Sequence, residues 1–81
     1  MDGSPNYVSA GQSALANAKW EEAKQQFEKA LTESDSPEAH DRLGLALWWL
    51  NEISASHEQR TLAYRGYKSN GDFPKAARLA A

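Results

Sequence analysis

Leu43-Gly44-Leu45-Ala46-Leu47-Trp48-Trp49-Leu50 is a run of eight residues with no charge and no polar side chain, and no other stretch of the chain matches its apolar density. Leu43, Leu47 and Leu50 recur at helical spacing. Leu45, Trp48 and Trp49 fill the rest of the circumference. A helix that is apolar all round is normally buried on more than one side, so the run predicts a central helix with neighbours against it. It does not predict a membrane span: that needs ~20 apolar residues, and Asp41-Arg42 and Asn51-Glu52 close the run too early. Ser36-Pro37-Glu38 sets its start. A serine oxygen accepts from an orphan backbone N–H, proline loses nothing at the first helical position, and glutamate faces the positive end of the helix dipole.

On either side of this helix the same logic places four more. Pro5 to Asn17 forms the first, with Ser4 as cap and a face of Tyr7, Ala10, Gly11, Ala14 and Ala18. That face is small enough for another helix to come close. Asn17-Ala18-Lys19 makes the turn. Trp20, Ala23, Phe27, Ala30 and Leu31 form the clearest amphipathic stripe of the chain, on a second helix to about residue 34. Lys24 and Glu28 sit four apart on its solvent side. Asn51 suits the left-handed conformation of a helix stop. A fourth helix runs from Ile53 to Ser69 on a weaker stripe of Ile53, His57, Arg60, Tyr64 and Tyr67. Asn70-Gly71-Asp72 breaks the chain, and Asp72 caps a last helix over 73–81. Its apolar side is Phe73, Ala76, Ala77 and Ala80, and the pattern stops without a capping signal, as in a piece of a longer protein. Met1 to Ser4 reads as a disordered start or a cloning remnant. The expected fold is all-α, about five antiparallel helices.

Composition narrows the function classes. Eighty-one residues make one small domain. There is no cysteine, hence no disulfide and no thiolate metal site, and no leader pattern opens the chain, which fits a cytoplasmic setting. The net charge of −2 implies no partner by itself, but its distribution is uneven. Residues 1–52 carry four Lys/Arg against nine Asp/Glu, net −5, and residues 53–81 carry five against two, net +3. The plain reading is two halves that attract each other. The sharper one is a basic segment (Arg60, Arg65, Lys68, Lys75 and Arg78) that meets nucleic acid or an acidic partner.

No catalytic, metal or cofactor motif stands out. His57-Glu58-Gln59-Arg60-Thr61 opens like a helical zinc motif but lacks the second histidine. His40 and His57 have no carboxylate constellation beside them, and no glycine-rich phosphate loop is present. The expectation is a chain that is not an enzyme and holds neither cofactor nor metal.

The chain does repeat itself. Gly11 and Gly44, Tyr7 and His40, Ala14 and Leu47, Trp20 and Ile53, and Ala30 and Ala63 are all 33 residues apart. This resembles the tetratricopeptide repeat, a helix–turn–helix unit of about 34 residues. The family's first-helix positions hold Tyr7, Ala10-Gly11 and Ala14, then His40, Leu43-Gly44 and Leu47. Its second-helix alanine, aromatic and alanine are met by Ala23, Phe27 and Ala30, but poorly by Ser56, Arg60 and Ala63. Asp72-Phe73 with Ala76 looks like a third, out-of-step copy of the turn. The resemblance implies a helical array and a protein-interaction scaffold. The string from Trp20-Glu21-Glu22-Ala23 through Glu38–Leu50 to Ala76-Ala77-Arg78-Leu79-Ala80 is similar to the helical-repeat segment of bacterial LuxR-type transcriptional regulators. In those proteins a DNA-binding helix-turn-helix follows the repeats. None follows here, so direct DNA binding is not implied for this stretch.

In the repeat family the first helix of each unit lines a concave groove. The corresponding candidates are Val8, Gln12, Leu15, Asp41, Leu45 and Trp48, with Trp49 beside them. Adjacent helix positions point ~100° apart, so Trp48 and Trp49 cannot face one neighbour. Either both rings are core or one is an exposed anchor. Val8 and Gln12 stand where the family's carboxylate-clamp class has basic and amide side chains, so capture of a free C-terminus is not implied. The expected partner is a protein or peptide, an adjoining domain of the same chain, or a second copy. The second copy would bind through Leu62, Tyr67, Phe73 and Ala77.

Overall fold

The computed structural model describes residues 6–80. Among them are five helices and no strand: α1 (Tyr7–Ala16), α2 (Trp20–Glu33), α3 (Pro37–Trp49), α4 (Ile53–Ser69) and α5 (Phe73–Ala80). Each helix packs on the next in sequence, and α1 also touches α3 lightly. The expected helices are all present, displaced at their ends by no more than a residue or two. The cap of α1 is not where it was expected. Asn6 Oδ1 accepts from the Ser9 N–H at 3.0 Å, while Ser4 and Pro5 lie outside the described residues. Ser36 caps α3 as expected, its Oγ accepting from the Ala39 N–H at 3.4 Å.

Three of the four connections are the same corner. At the end of α1, the Lys19 N–H donates to Ala14 O at 2.8 Å and the Ala18 N–H to Leu15 O at 3.1 Å. At the end of α3, Glu52 donates to Leu47 O at 2.9 Å and Asn51 to Trp48 O at 3.0 Å. At the end of α4, Asp72 donates to Tyr67 O at 2.8 Å and Gly71 to Lys68 O at 3.1 Å. These are Schellman stops, which need a left-handed residue before the last donor. Ala18, Asn51 and Gly71 take that conformation, with φ of 59°, 65° and 79°. The last donor then opens the next helix through its own carbonyl, to Ala23, Ser56 and Ala76 respectively. All three of those small residues are buried. Glycine and asparagine accept the left-handed region at little cost, whereas alanine is strained there by ~1–2 kcal/mol.

The main core is Ala14, Ala23, Phe27, Leu43, Ala46 and Leu47, with Val8, Leu15, Leu31 and Ala55 packed around it. Phe27 has no exposed surface. A Cβ placed on Gly11 would lie 2.7 Å from its ring, so α1 sits directly on the phenyl edge. The equivalent glycine of α3, Gly44, meets the Arg60 side chain, with Cγ at 2.8 Å from such a Cβ. Arg60 thus fills with its methylene stem the place that Phe27 fills in the first half.

Ser56 and Gln59 tie α4 to α3, and Asp35 of the α2–α3 connection holds the other side of the His40 ring. Ser56 Oγ donates to Gly44 O at 2.7 Å, His40 Nδ1 meets Gln59 Oε1 at 2.6 Å, and His40 Nε2 meets Asp35 Oδ1 at 2.6 Å. The buried face of α4 is Ser56, Ala63 and Tyr67, so the expected stripe holds at Tyr67, with Tyr64 partly buried beside it, and fails at its start. Ile53 and His57 are exposed, because α3 presents a glycine and a histidine at the contact and rewards small and polar partners. A second cluster joins Ala63, Tyr67 and Ala76, with Tyr64 and Leu79 beside them.

Two substitutions test this architecture by urea or thermal unfolding. Phe27→Ala costs about 3–5 kcal/mol, a large share of the roughly 5–15 kcal/mol available to a domain. An unchanged melting temperature would show that the ring is not core. Ala18→Gly relieves the strained corner and raises stability by about 0.5–1 kcal/mol, which in a domain of this size is a rise of several degrees in Tm. A lower Tm would contradict the left-handed assignment.

Candidate functional site

The faces of α1, α3 and α5 form one side of the molecule, with α2 and α4 packed between them. Two adjoining hollows lie on that side. The larger, of about 420 Å³, has walls of Asp41, Arg42, Leu45 and Trp48 from α3 and Arg78 and Leu79 from α5, over a floor of Ser56 and Arg60 from α4. The smaller, of about 410 Å³ and more open, is bounded by Gln12, Leu15 and Ala16 of α1 and by Arg42 and Leu45 of α3. Arg42 and Leu45 belong to both, so the two hollows make one trough lined by α1, α3, α4 and α5.

Five of the seven groove candidates meet there: Gln12, Leu15, Asp41, Leu45 and Trp48. Val8 is instead half-buried against the main core, because the small residues of α1 draw that helix down onto Phe27. Trp49 leaves the trough altogether. Its ring stacks on Trp20 of α2, with centroids 5.0 Å apart and planes within 8°, and it meets the edge of Trp48 at 5.1 Å and 88°. Offset or stacked and edge-on aromatic pairs are both favourable. Neither tryptophan is core, since each is 51% exposed. The expectation of burial all round fails because α2 and α4 flank α3 closely while α1 touches it only lightly, which leaves one side open.

Asp41 is the polar keystone of the larger hollow. Its Oδ2 accepts from Arg78 at 2.9 Å and from the Tyr67 hydroxyl at 3.4 Å. The neighbouring pair Lys75–Glu38, at 3.6 Å, runs parallel to it between α5 and α3. Two cations of the basic segment are therefore engaged with acidic residues of the first half. Lys68 lies over the Tyr64 ring, its Nζ 5.7 Å from the centroid. Lys24 does not serve the expected pair with Glu28. It reaches Glu52 at the α3–α4 corner, 3.3 Å away, and that contact raises its pKa above the usual lysine value.

Of the four residues expected to contact a second copy, Leu62, Phe73 and Ala77 are exposed. Tyr67 is not, with only 3% of its surface accessible. The short α5 covers it through Ala76 and Leu79, so Tyr67 belongs to the inner core and cannot make an outer contact. Among the described residues, no group of three or more His, Cys, Asp or Glu is placed to hold a metal ion, and no helix is long and apolar enough to cross a membrane.

Arg42, Gly44, Ser56 and Leu79 of the larger hollow were not among the sequence candidates, and Arg60 and Arg78 were named only as members of the basic segment, not of the groove. Arg42 follows Asp41 directly, and Arg60 occupies the repeat position of Phe27, so both carried a positional signal. Leu79 carried none, and Arg78 carried only its charge, because nothing in the spacing of α5 shows that it supplies a third wall. Comparison with protein-family models, with curated proteins and with solved structures found no match for this chain.

Burial pushes the Tyr67 phenol up from 10.0 to about 12, helped by the charges of Asp41 and Glu38 and the bond to Asp41, against the pull of Arg78. A raised folded pKa means that the tyrosine's contribution is intact below the unfolded value and is lost as pH climbs through the folded one. Alkaline unfolding is therefore expected between about pH 10 and 12. Tyr67→Phe removes the latest phenolate absorbance step and blunts the alkaline transition. A late step that persists in Tyr67→Phe would place the shifted phenol elsewhere.

Proposed function

We propose that this chain is a protein-interaction scaffold, a tetratricopeptide-like helical segment of a bacterial transcriptional or signalling regulator, working in the cytoplasm. The regulator setting rests on the string similarity between residues 20 and 80. The interaction role rests on one feature of the trough. Leu45 and Trp48 are 40% and 51% exposed on a helix whose Ala39, Leu43, Gly44, Ala46 and Leu47 are buried. The core is complete without these two side chains, so their presence on an open concave face fits binding rather than folding. Aromatic side chains in such places are common anchors of protein interfaces, and exposed apolar patches rimmed by polar groups commonly mark them. The polar groups here are Gln12, Asp41 and Arg42 around the edge and Arg60 on the floor.

The test is selection of binders from a random peptide display library on the immobilised chain. Peptides are expected to bind the native protein and to lose binding to a Leu45→Ser/Trp48→Ser double variant. The double variant should still fold, as circular dichroism would check, because neither side chain belongs to the buried core, although the Trp48–Trp49 edge contact is lost. No selectable peptide, or peptides indifferent to the double variant, would overturn the trough as the binding surface.

A further inference from the structure

The trough has a charge balance opposite to that of the chain. The protein is net −2, yet three arginines and one carboxylate line the larger hollow. That carboxylate, Asp41, is already engaged by Arg78 and Tyr67. Among the described residues no carboxylate pairs with Arg42 or Arg60, which stand on the α3 wall and the α4 floor. Beside them lie the apolar surfaces of Leu45, Trp48 and Leu79. The hollow thus offers two uncompensated guanidinium groups next to an apolar wall.

The geometry points to an acidic amphipathic segment of a partner protein as the occupant. Its aspartate or glutamate side chains would meet Arg42 and Arg60, and an apolar or aromatic side chain would rest on Leu45, Trp48 and Leu79. This rests on the interaction reading above and names the partner's chemistry. Guanidinium binds carboxylate through paired hydrogen bonds. An uncharged segment laid over the hollow would cover both arginines without partners, which is costly, and a basic one would be repelled. Asp41 does not repel an acidic segment, because Arg78 balances it. The length of the trough favours a segment over a small anion, since it runs from Gln12 on α1 to Leu79 on α5 and a small anion would fill one end only.

The selected peptides supply the test. They are expected to be rich in Asp and Glu close to Leu, Phe or Trp. Arg42→Gln and Arg60→Gln should each weaken such a peptide about ten-fold in fluorescence anisotropy, as the loss of one charge-assisted contact does. The glutamine at position 60 keeps the Cγ that packs on Gly44. Arg65→Gln, outside the trough, should leave affinity unchanged, and circular dichroism of all three variants should match the native chain. Uncharged or basic peptides that are lost on Leu45→Ser/Trp48→Ser would overturn the acidic partner and leave the scaffold standing. No selectable peptide, together with binding of a generic DNA duplex that falls steeply with salt and depends on Arg42 and Arg60, would overturn both in favour of a nucleic-acid interface.

Discussion

The fold depends on the approach of Gly11 to the edge of the Phe27 ring. With no side chain at Gly11, α1 comes down until its backbone meets the phenyl group. Glycine inside a helix gives up ~1 kcal/mol relative to alanine, and here the closer contact with a fully buried ring offsets that loss. The seating of α1 has a consequence at the trough, since it fixes the height of Gln12 and Leu15 against Arg42 and Leu45. A methyl group at position 11 would lift the α1 wall of the trough as well as loosen the core.

The second half solves the same problem with different chemistry. Gly44 meets an arginine stem and a serine hydroxyl rather than a phenyl ring. An apolar contact of this size needs no particular direction, but the Ser56 bond to Gly44 O and the His40 contact to Gln59 do. The α3–α4 pair is therefore held by oriented polar contacts as well as packing, and the use of Arg60 as filler leaves a cation on the floor of the hollow. Packing and site chemistry meet in that one residue. The pairs Asp41–Arg78 and Glu38–Lys75 then set the short α5 as the third wall, so part of the charge division between the two halves of the sequence is used within the fold.

The helices are legible in the sequence because their ends carry local signals: Ser36-Pro37, Asn51 and Asn70-Gly71-Asp72 act within a turn. Phe27 and the small face of α1 are legible for a similar reason, since a regular stripe on one helix implies a partner. What the sequence hides is which side of a helix stays uncovered. Trp48 and Trp49 are identical in type and adjacent, yet one lines the trough and the other stacks on Trp20, a distinction made only by the placement of α2. Tyr67 reads as an outer residue until the eight residues of α5 fold over it. Arg60 reads as a failed match to an aromatic position, and only the glycine opposite shows that its stem does the same job. Ala18 gives no sign of its left-handed backbone, because every other alanine among the described residues lies in a helix.

The packing order also bears on how the chain reaches this state. Helix neighbours in space are helix neighbours in sequence, and the three matching corners close within six residues of backbone each. Contacts so local require little loop closure before they form, and chains of this kind fold quickly, in microseconds to milliseconds. Nearest-neighbour packing further lets nucleation begin at any hairpin and spread along the array. The α1–α2 hairpin carries the fully buried Phe27 ring and the strained Ala18 corner. The α3–α4 hairpin has relaxed corners but a polar interface that must align. Order is therefore expected to start around α2 and α3, where both hairpins share the main core, and to reach α5 last.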